Sequence, residues 1–292
     1  MIKNILLSLV LLLSIQLPTA DAQNIKRLDV GFEEAGLPMQ NPFAGGLNAP
    51  QINAVDLNND GVLDLHFFDK AGNVHVTFIN NGSTSGGSYE FAPQYAANFP
   101  DIEGWALLRD YNGDGIMDIF SYSDVIGVSG VKVHRGSYQD DMITFERLTH
   151  SDGPHDVLSF LIPNGSFPQI AVDDQDLPAI DDIDGDGDLD ILTFDLGGST
   201  VEWYRNTSLE NGFGLDSLKF VREEDCWGNF KEGGLSAEIF LGTSMGICPS
   251  LQNNQAEVRH AGSTLMTFDD DNDGDKELVL GDLTGLHLVY LK

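Results

Sequence analysis

Lysine and arginine are scarce in this chain: 15 of them face 46 aspartates and glutamates, giving a formal charge of −31. That balance repels nucleic acid and anionic lipid surfaces over a Debye length, which removes polyanions from the expected partners. Cysteine is scarcer still. Two copies, Cys226 and Cys248, cannot build a disulfide-dense scaffold, and without paired histidines they do not make a zinc site. Helical periodicity is nearly absent, and beyond the N-terminus no run is long and apolar enough to span a membrane. What remains is 41% hydrophobic residues over a length of 292, enough for a real core in one large domain or two ordinary ones.

Residues 1–22 read as a secretory signal. Lys3 lies in a short basic start, an apolar run from Ile5 to Leu17 is broken only by Ser8, Ser14 and Gln16, and Ala20-Asp21-Ala22 supplies a small-x-small cleavage site. The apolar run is about thirteen residues where a membrane span needs about twenty, so cleavage after Ala22 and no remaining anchor are expected. The mature chain then covers 23–292 and is secreted or held at the cell surface. Export places Cys226 and Cys248 in an oxidising compartment, which favours a disulfide between them, and closing that loop would stabilise by about 3 kcal/mol in the chain-entropy model.

Four runs of nine residues carry the strongest signal. Each starts with aspartate, has oxygen-bearing side chains at its first, third, fifth and ninth positions, and has glycine at the sixth. The side-chain sets are Asp56, Asn58, Asp60 and Asp64; Asp110, Asn112, Asp114 and Asp118; Asp182, Asp184, Asp186 and Asp190; and Asp269, Asp271, Asp273 and Glu277. Alternate residues of a tight loop point the same way and glycine permits the bend, so the spacing suits a hard cation. The backbone carbonyl of the seventh residue (Val62, Ile116, Asp188, Asp275) is the natural additional ligand. An EF-hand would need glutamate at position twelve, where this chain has Phe67, Ser121, Thr193 and Leu280. Magnesium prefers rigid octahedral sites with retained waters, so these flexible oxygen-rich loops predict calcium, up to four ions, with weak extracellular affinity of about 10⁻⁴ to 10⁻³ M. The third set is all aspartate and the strongest; Asn58 makes the first weaker. Four bound ions would bring the charge to roughly −23.

The loop starts are 54, 72 and 87 residues apart, so a fixed core repeats with variable insertions. A short strand enters each loop, as in Gln51–Val55 and Trp105–Leu108. A second follows its glycine at Leu63–Phe68, Met117–Phe120, Leu189–Phe194 and Glu277–Leu280. A glycine-based turn leads to a third at Asn73–Ile79, Val131–His134, Val201–Tyr204 and Leu286–Leu291. A fourth is found in three units: Tyr89–Phe91, Ile143–Leu148 and Leu218–Arg222. This is the outline of an all-β propeller of four-stranded antiparallel blades, about four or five in number, with calcium loops in the blades. The last unit stops after its third strand, and 28–33 is a candidate to complete it. The insertions fall at about 149–178 and 226–262.

The pattern Asp-x-(Asp/Asn)-x-Asp-Gly-x-x-(Asp/Glu) in repeated β units resembles the FG-GAP or VCBS repeat family, which includes the calcium-bearing propellers of integrin alpha subunits. The stretches Leu107–Asn112, Pro178–Leu192, Asp225–Gly228 and Arg259–Leu265 are most similar to secreted VCBS repeat proteins of the Bacteroidetes type. The resemblance implies calcium binding and an adhesive or ligand-binding role without shared catalytic residues. Relatives of that type are longer and end in a sorting domain, which favours the front part of a longer propeller over a closed four-bladed ring.

Catalytic candidates are weak beside the loops. Gly242-Thr243-Ser244-Met245-Gly246 matches G-x-S-x-G, but Cys248-Pro249 follows where an elbow serine needs a helix. Seven histidines are dispersed, and His66, His75 and His287 alternate within strands, which suits packing better than ligation. Trp105, Trp203 and Trp227 are expected in blade cores rather than on a sugar platform. Asn81, Asn164 and Asn206 open glycosylation sequons, a weak signal. The reading is a secreted, calcium-stabilised scaffold that binds an extracellular protein or glycan through its insertions. A polysaccharide lyase or hydrolase is the enzymatic alternative, and a non-binding portion of a larger surface protein the structural one.

Overall fold

The alternating strands become four antiparallel sheets in the computed structural model, which describes residues 30–82, 89–150, 152–233, 238–242, 248, 263–282 and 288–292. Two one-turn 3-10 segments, Ala96–Asn98 and Trp227–Asn229, are the helical content of the described residues. None of their helices is long and apolar enough to cross a membrane. The predicted signal at 1–22 lies outside the described residues.

Residues 30–42 form a small unit of their own. Glu33–Glu34 pairs with Leu37–Pro38 across a turn at Ala35 and Gly36. The segment expected to complete the last blade therefore has its Glu33 in this hairpin, and Leu28 and Asp29 lie outside the described residues.

The rest of the chain is a four-bladed β-propeller. Blade 1 contains Pro50–Val55, Asp64–Asp69, Val74–Asn80 and Tyr89–Phe91 in that order from the axis outward. Blade 2 contains Ala106–Arg109, Asp118–Tyr122, Val131–Gln139 and Met142–Arg147. Blade 3 contains Ala179–Asp181, Asp190–Phe194, Val201–Asn206 and Phe220–Glu224, and Phe160–Leu161 from the first insertion adds to its outer edge in parallel. Blade 4 contains Ser263–Phe268, Glu277–Asp282 and Leu288–Leu291, a three-stranded sheet among the described residues. The blade number is thus the lower of the two expected.

Blades pack face to face, and each hydrophobic cluster draws on two successive ones. Val55, Leu57 and Phe68 of blade 1 meet Ala106, Leu108, Ile119 and Ile143 of blade 2. Phe120, Val131 and Val133 of blade 2 meet Ile180, Ile191 and Tyr204 of blade 3, together with Trp105. Leu192 and Val201 of blade 3 meet Leu265, Leu278 and Leu280 of blade 4. A strand with neighbours on both faces is buried on both, and Asp190–Phe194 is buried throughout, with Ile191, Leu192 and Phe194 in the inter-blade cores.

Polar links add direction to this packing. The side chains of Gln51 and Asn53 accept the Ala106 and Leu108 N–H groups at 2.8 and 3.0 Å, and Arg109 Nε donates to the Ile180 carbonyl at 3.0 Å. Leu265 N–H donates to the Leu177 carbonyl at 2.9 Å. The four innermost strands line one axial cavity of about 390 Å³, bordered by Ile52, Leu107, Ile180 and Met266. In the second insertion Phe230–Glu232 pairs with Ile239–Leu241, and the predicted Cys226–Cys248 disulfide is formed with a Cα separation of 5.8 Å.

Phe120 is fully buried between blades 2 and 3. Replacing it with Ala is expected to cost about 3–5 kcal/mol in urea unfolding, and a loss below about 1 kcal/mol would show that the interface does not hold the blades together.

Candidate functional site

Each loop is folded by its own carboxylates. The first-position aspartate accepts N–H groups from the fifth and sixth residues in blade 1 (Asp60 and Gly61 onto Asp56, 3.2 and 2.8 Å) and blade 2 (Asp114 and Gly115 onto Asp110, 3.2 and 2.8 Å). Blade 4 repeats the pair, with Asp273 and Gly274 onto Asp269, both at 3.2 Å. In blade 3 Gly185 and Gly187 donate to Asp182 at 2.8 and 3.1 Å. The fifth-position carboxylate accepts the N–H of the seventh residue in all four, Val62, Ile116, Asp188 and Asp275, at 2.8 to 3.0 Å.

Two positions need a left-handed backbone. The sixth is glycine throughout, with φ of 80, 85, 99 and 98° at Gly61, Gly115, Gly187 and Gly274. The fourth has φ of 58, 71, 76 and 58°, and it is occupied by Asn59, Gly113, Gly185 and Asn272, residue types that tolerate that region. The sequence signal for this restriction is the Asn/Gly choice at position four.

The ninth position serves the blade as much as the loop. Asp64, Asp118 and Asp190 are fully buried at the start of the second strand, and Glu277 nearly so. One oxygen accepts the N–H of the loop's second residue: Leu57 at 2.9 Å, Tyr111 at 3.1 Å, Ile183 at 3.3 Å and Asp270 at 2.6 Å. In blades 1 to 3 the other oxygen accepts an N–H from the third strand: Asn80 at 2.6 Å, Gly136 at 2.8 Å and Asn206 at 2.7 Å. At Gly136 a Cβ would lie 2.2 Å from the Met117 carbonyl oxygen, so only glycine admits this approach. The second residue itself, Leu57, Tyr111 or Ile183, is a buried apolar plug, replaced in blade 4 by exposed Asp270.

Burial pushes the Asp118 carboxyl up to about 6 and the Asp190 carboxyl up to about 8, against the pull of their N–H donors. Burial also raises Asp64, and it raises Asp184 at position three with help from the neighbouring Asp186 charge. These groups crowd negative charge that a cation would relieve. Asp182, Asp184 and Asp186 bring carboxylate oxygens within 4.8 Å of one another, and Asp269, Asp271 and Asp273 do the same. In the first two loops the third position is asparagine. Asn58 and Asn112 each donate from Nδ2 to the fifth-position carboxylate at 2.9 Å, and Asn58 Oδ1 is buried with no hydrogen-bond partner, an acceptor that a cation would complete. The residues therefore fit an oxygen-coordinated metal. In the third and fourth loops positions one, three and five converge, and in blades 1 to 3 position nine, engaged through both oxygens, has only its remaining lone pairs to offer.

Residues 56–121 match the model of a family described as FG-GAP-like repeat. The match begins at the first aspartate of loop 1 and ends in the second strand of blade 2, so it spans two complete loops. A search of curated proteins finds no match to the chain. The matched segment holds loops 1 and 2, and blades 3 and 4 share with them the bond from the seventh residue to the fifth-position carboxylate and the bond from the second residue to the ninth-position carboxylate.

The other candidates fall into place around the loops. His66 is fully buried in blade 1, and burial lowers its pKa well below the usual value, so it is neutral. His75 Nε2 donates to the Pro100 carbonyl at 3.1 Å. His66 Nε2 then donates to His75 Nδ1 at 2.8 Å, and Asn53 Nδ2 donates to His66 Nδ1 at 3.4 Å. This relay is a structural polar network. Trp105 is fully buried, and Trp203 donates to Asp190 at 3.1 Å. Asn206 is buried and accepts Ser208 and Lys219, which leaves no room for a glycan. Thr243–Ile247, with Ser244, and His287 lie outside the described residues.

Two adjoining cavities, one between blades 2 and 3 and the other between the first insertion and blade 3, had no sequence signal. One, about 230 Å³, is lined by Tyr111, Arg135, His150 and Lys219; the other, about 350 Å³, by Leu161, Phe167, Phe213 and Val221. They share Asp152, Ser159, Leu218 and Lys219, so they form one groove under the first insertion.

Separate variants distinguish metal ligands from structural acceptors. Asp118→Asn presents an amide N–H₂ to backbone N–H donors and is expected to cost about 1–3 kcal/mol even in EDTA. Asp184→Asn keeps an acceptor for Asp186 N–H and gives the loop the asparagine that loops 1 and 2 carry at position three, so it is expected to change stability in EDTA by less than about 0.5 kcal/mol while weakening the calcium stabilisation of this loop. Equal effects in EDTA would contradict the division. The raised carboxyls also fix a sign. The folded chain holds the Asp118 and Asp190 protons more tightly than the unfolded chain, so their contribution is full below about pH 4 and is lost as pH rises through their folded values. The melting temperature of EDTA-treated protein is expected to fall between about pH 5 and 8; a rise across that window would refute it.

Proposed function

We propose that this is an extracellular calcium-stabilised propeller that binds a protein or glycan ligand in the groove between blades 2 and 3. The groove carries the reading. It joins a polar end to an apolar one, which is the composition of sites that fix a ligand's orientation with a few polar groups and its affinity with buried surface. It lies beneath the 149–178 insertion, on a scaffold whose rigidity comes from the loops and inter-blade cores. Insertions on such scaffolds carry recognition because they vary without disturbing the core. Lys219 is ion-paired with Asp152 and Arg135 with Asp216, so the polar end offers balanced charge rather than a cationic sink. A neutral or mixed-charge ligand fits better than a polyanion.

Calcium enters as a clamp. Each ion bound only to the folded chain stabilises it by RT ln(1 + [L]/Kd), about 2.7 kcal/mol at a hundredfold excess over Kd. The Cys226–Cys248 bridge and the predicted signal support an oxidising, exported location. An enzymatic reading has less support, since the loop carboxylates are committed to backbone N–H groups and, on this proposal, to calcium.

Two measurements test this. EDTA is expected to lower the melting temperature, and an unchanged curve would remove calcium from the account. On glycan and protein arrays, Phe213→Ala at the exposed apolar end of the groove is expected to weaken binding about tenfold or more. Turnover of a polysaccharide would replace the binding reading with a lyase or hydrolase, and silence on every array would favour a purely structural portion of a surface protein.

A further inference from the structure

The third blade differs from the others in what stands at loop position seven. Blades 1 and 2 have Val62 and Ile116 there, and blade 4 has exposed Asp275; blade 3 has Asp188, buried to 1% exposure. Its backbone N–H is spent on Asp186, and its side chain turns away from the loop, where Oδ2 accepts the Leu209 N–H at 3.2 Å. Oδ1 is buried and has no hydrogen-bond partner. A carboxylate oxygen left alone in the interior is costly unless a proton or a cation meets it.

The neighbouring groups are those of a cation site. Asp186, Asp188 and Glu210 each bring an oxygen within 4.8 Å of the other two. Asp186 also belongs to the loop cluster with Asp182 and Asp184, so one carboxylate stands between two convergent sets. Glu210 comes from the turn after the third strand, which no other blade places against its loop in this way among the described residues. One cation already touches the cluster: Arg205 Nη1 pairs with Glu210. Arg205 Nε is held at the same time by Glu223 at 3.1 Å, so the guanidinium keeps a partner when Glu210 turns to a metal.

We propose that blade 3 binds a second divalent cation beside its loop ion, held by the side chains of Asp186, Asp188 and Glu210, with Asp186 bridging the two. An all-oxygen, carboxylate-rich set selects a hard ion of the calcium class. A shared carboxylate sets two ions about 3.5–4 Å apart, the spacing of paired metal sites. The pair would pin the 207–214 turn to the loop and so fix the outer part of blade 3, the side on which Phe213 lines the groove.

The inference rests on the third loop binding its own ion, and the test separates the two. Bound calcium is counted by native mass spectrometry and equilibrium dialysis on the full mature chain, for the wild type, Asp188→Asn and Glu210→Gln. Each variant is expected to bind one ion fewer than the wild type, because the seventh-position carbonyl that serves the loop ion is untouched by Asp188→Asn. Wild-type counts in both variants would overturn the second site and leave the loop ions standing. Loss of an ion in Asp188→Asn alone would overturn the three-carboxylate site. A wild type that binds no calcium would overturn the loop reading and the second site together. Glu210 is solvent-accessible, so Glu210→Gln decides the matter should the buried Asp188→Asn fail to fold.

Discussion

A buried carboxylate that catches two backbone N–H groups is the interaction on which each of the first three blades depends. Asp64, Asp118 and Asp190 stand at the first residue of their second strands, and each ties the loop before it to the third strand beyond it. The bond set closes the blade at the end where three strands and a loop meet. Without the carboxylate, the N–H groups of the second loop residue and of the third strand would be stranded in a dry interior, which costs more than the bonds themselves contribute.

That arrangement explains the charge of the chain. Fixing carboxylates in a loop sets like charges side by side, and burial raises the pKa of Asp118 and Asp190 because the ionised form is poorly solvated there. A protein built this way folds against its own repulsion unless cations collect in the loops. The high aspartate content is therefore part of the architecture, and calcium is the counter-charge that the proposed function assigns to it. The apolar second residue of the loop supplies the other half of the design: Leu57, Tyr111 and Ile183 drive the loop into the inter-blade core while their N–H groups meet the carboxylate.

Much of this was legible in the sequence, and the boundary of legibility has a physical cause. Position spacing within a loop is local, so the convergence of Asp182, Asp184 and Asp186 could be written down before any fold was known. Strand placement was local too: Tyr89–Phe91 is observed where alternation put it, and Val74–Asn80 lies one residue from its predicted span. The structural role of position nine is not legible in the sequence, because its N–H donors at Asn80, Gly136 and Asn206 lie 16 to 18 residues away. The groove was invisible for the same reason, since its members, such as Tyr111 and Lys219, come together only when blades pack. The segment 28–33 resembled a blade strand in composition, yet the turn at Ala35-Gly36 sends Glu33 back onto Pro38.

The central claim is that calcium in the loops and the buried ninth-position carboxylates form one clamp. Hydrogen exchange at the amides of Asn80, Gly136 and Asn206, with calcium and with EDTA, addresses it most directly. Calcium is predicted to slow exchange at all three by about tenfold or more, because ion binding and blade closure are linked. Equal rates in calcium and EDTA at these amides would show that the carboxylates hold the blades without the metal.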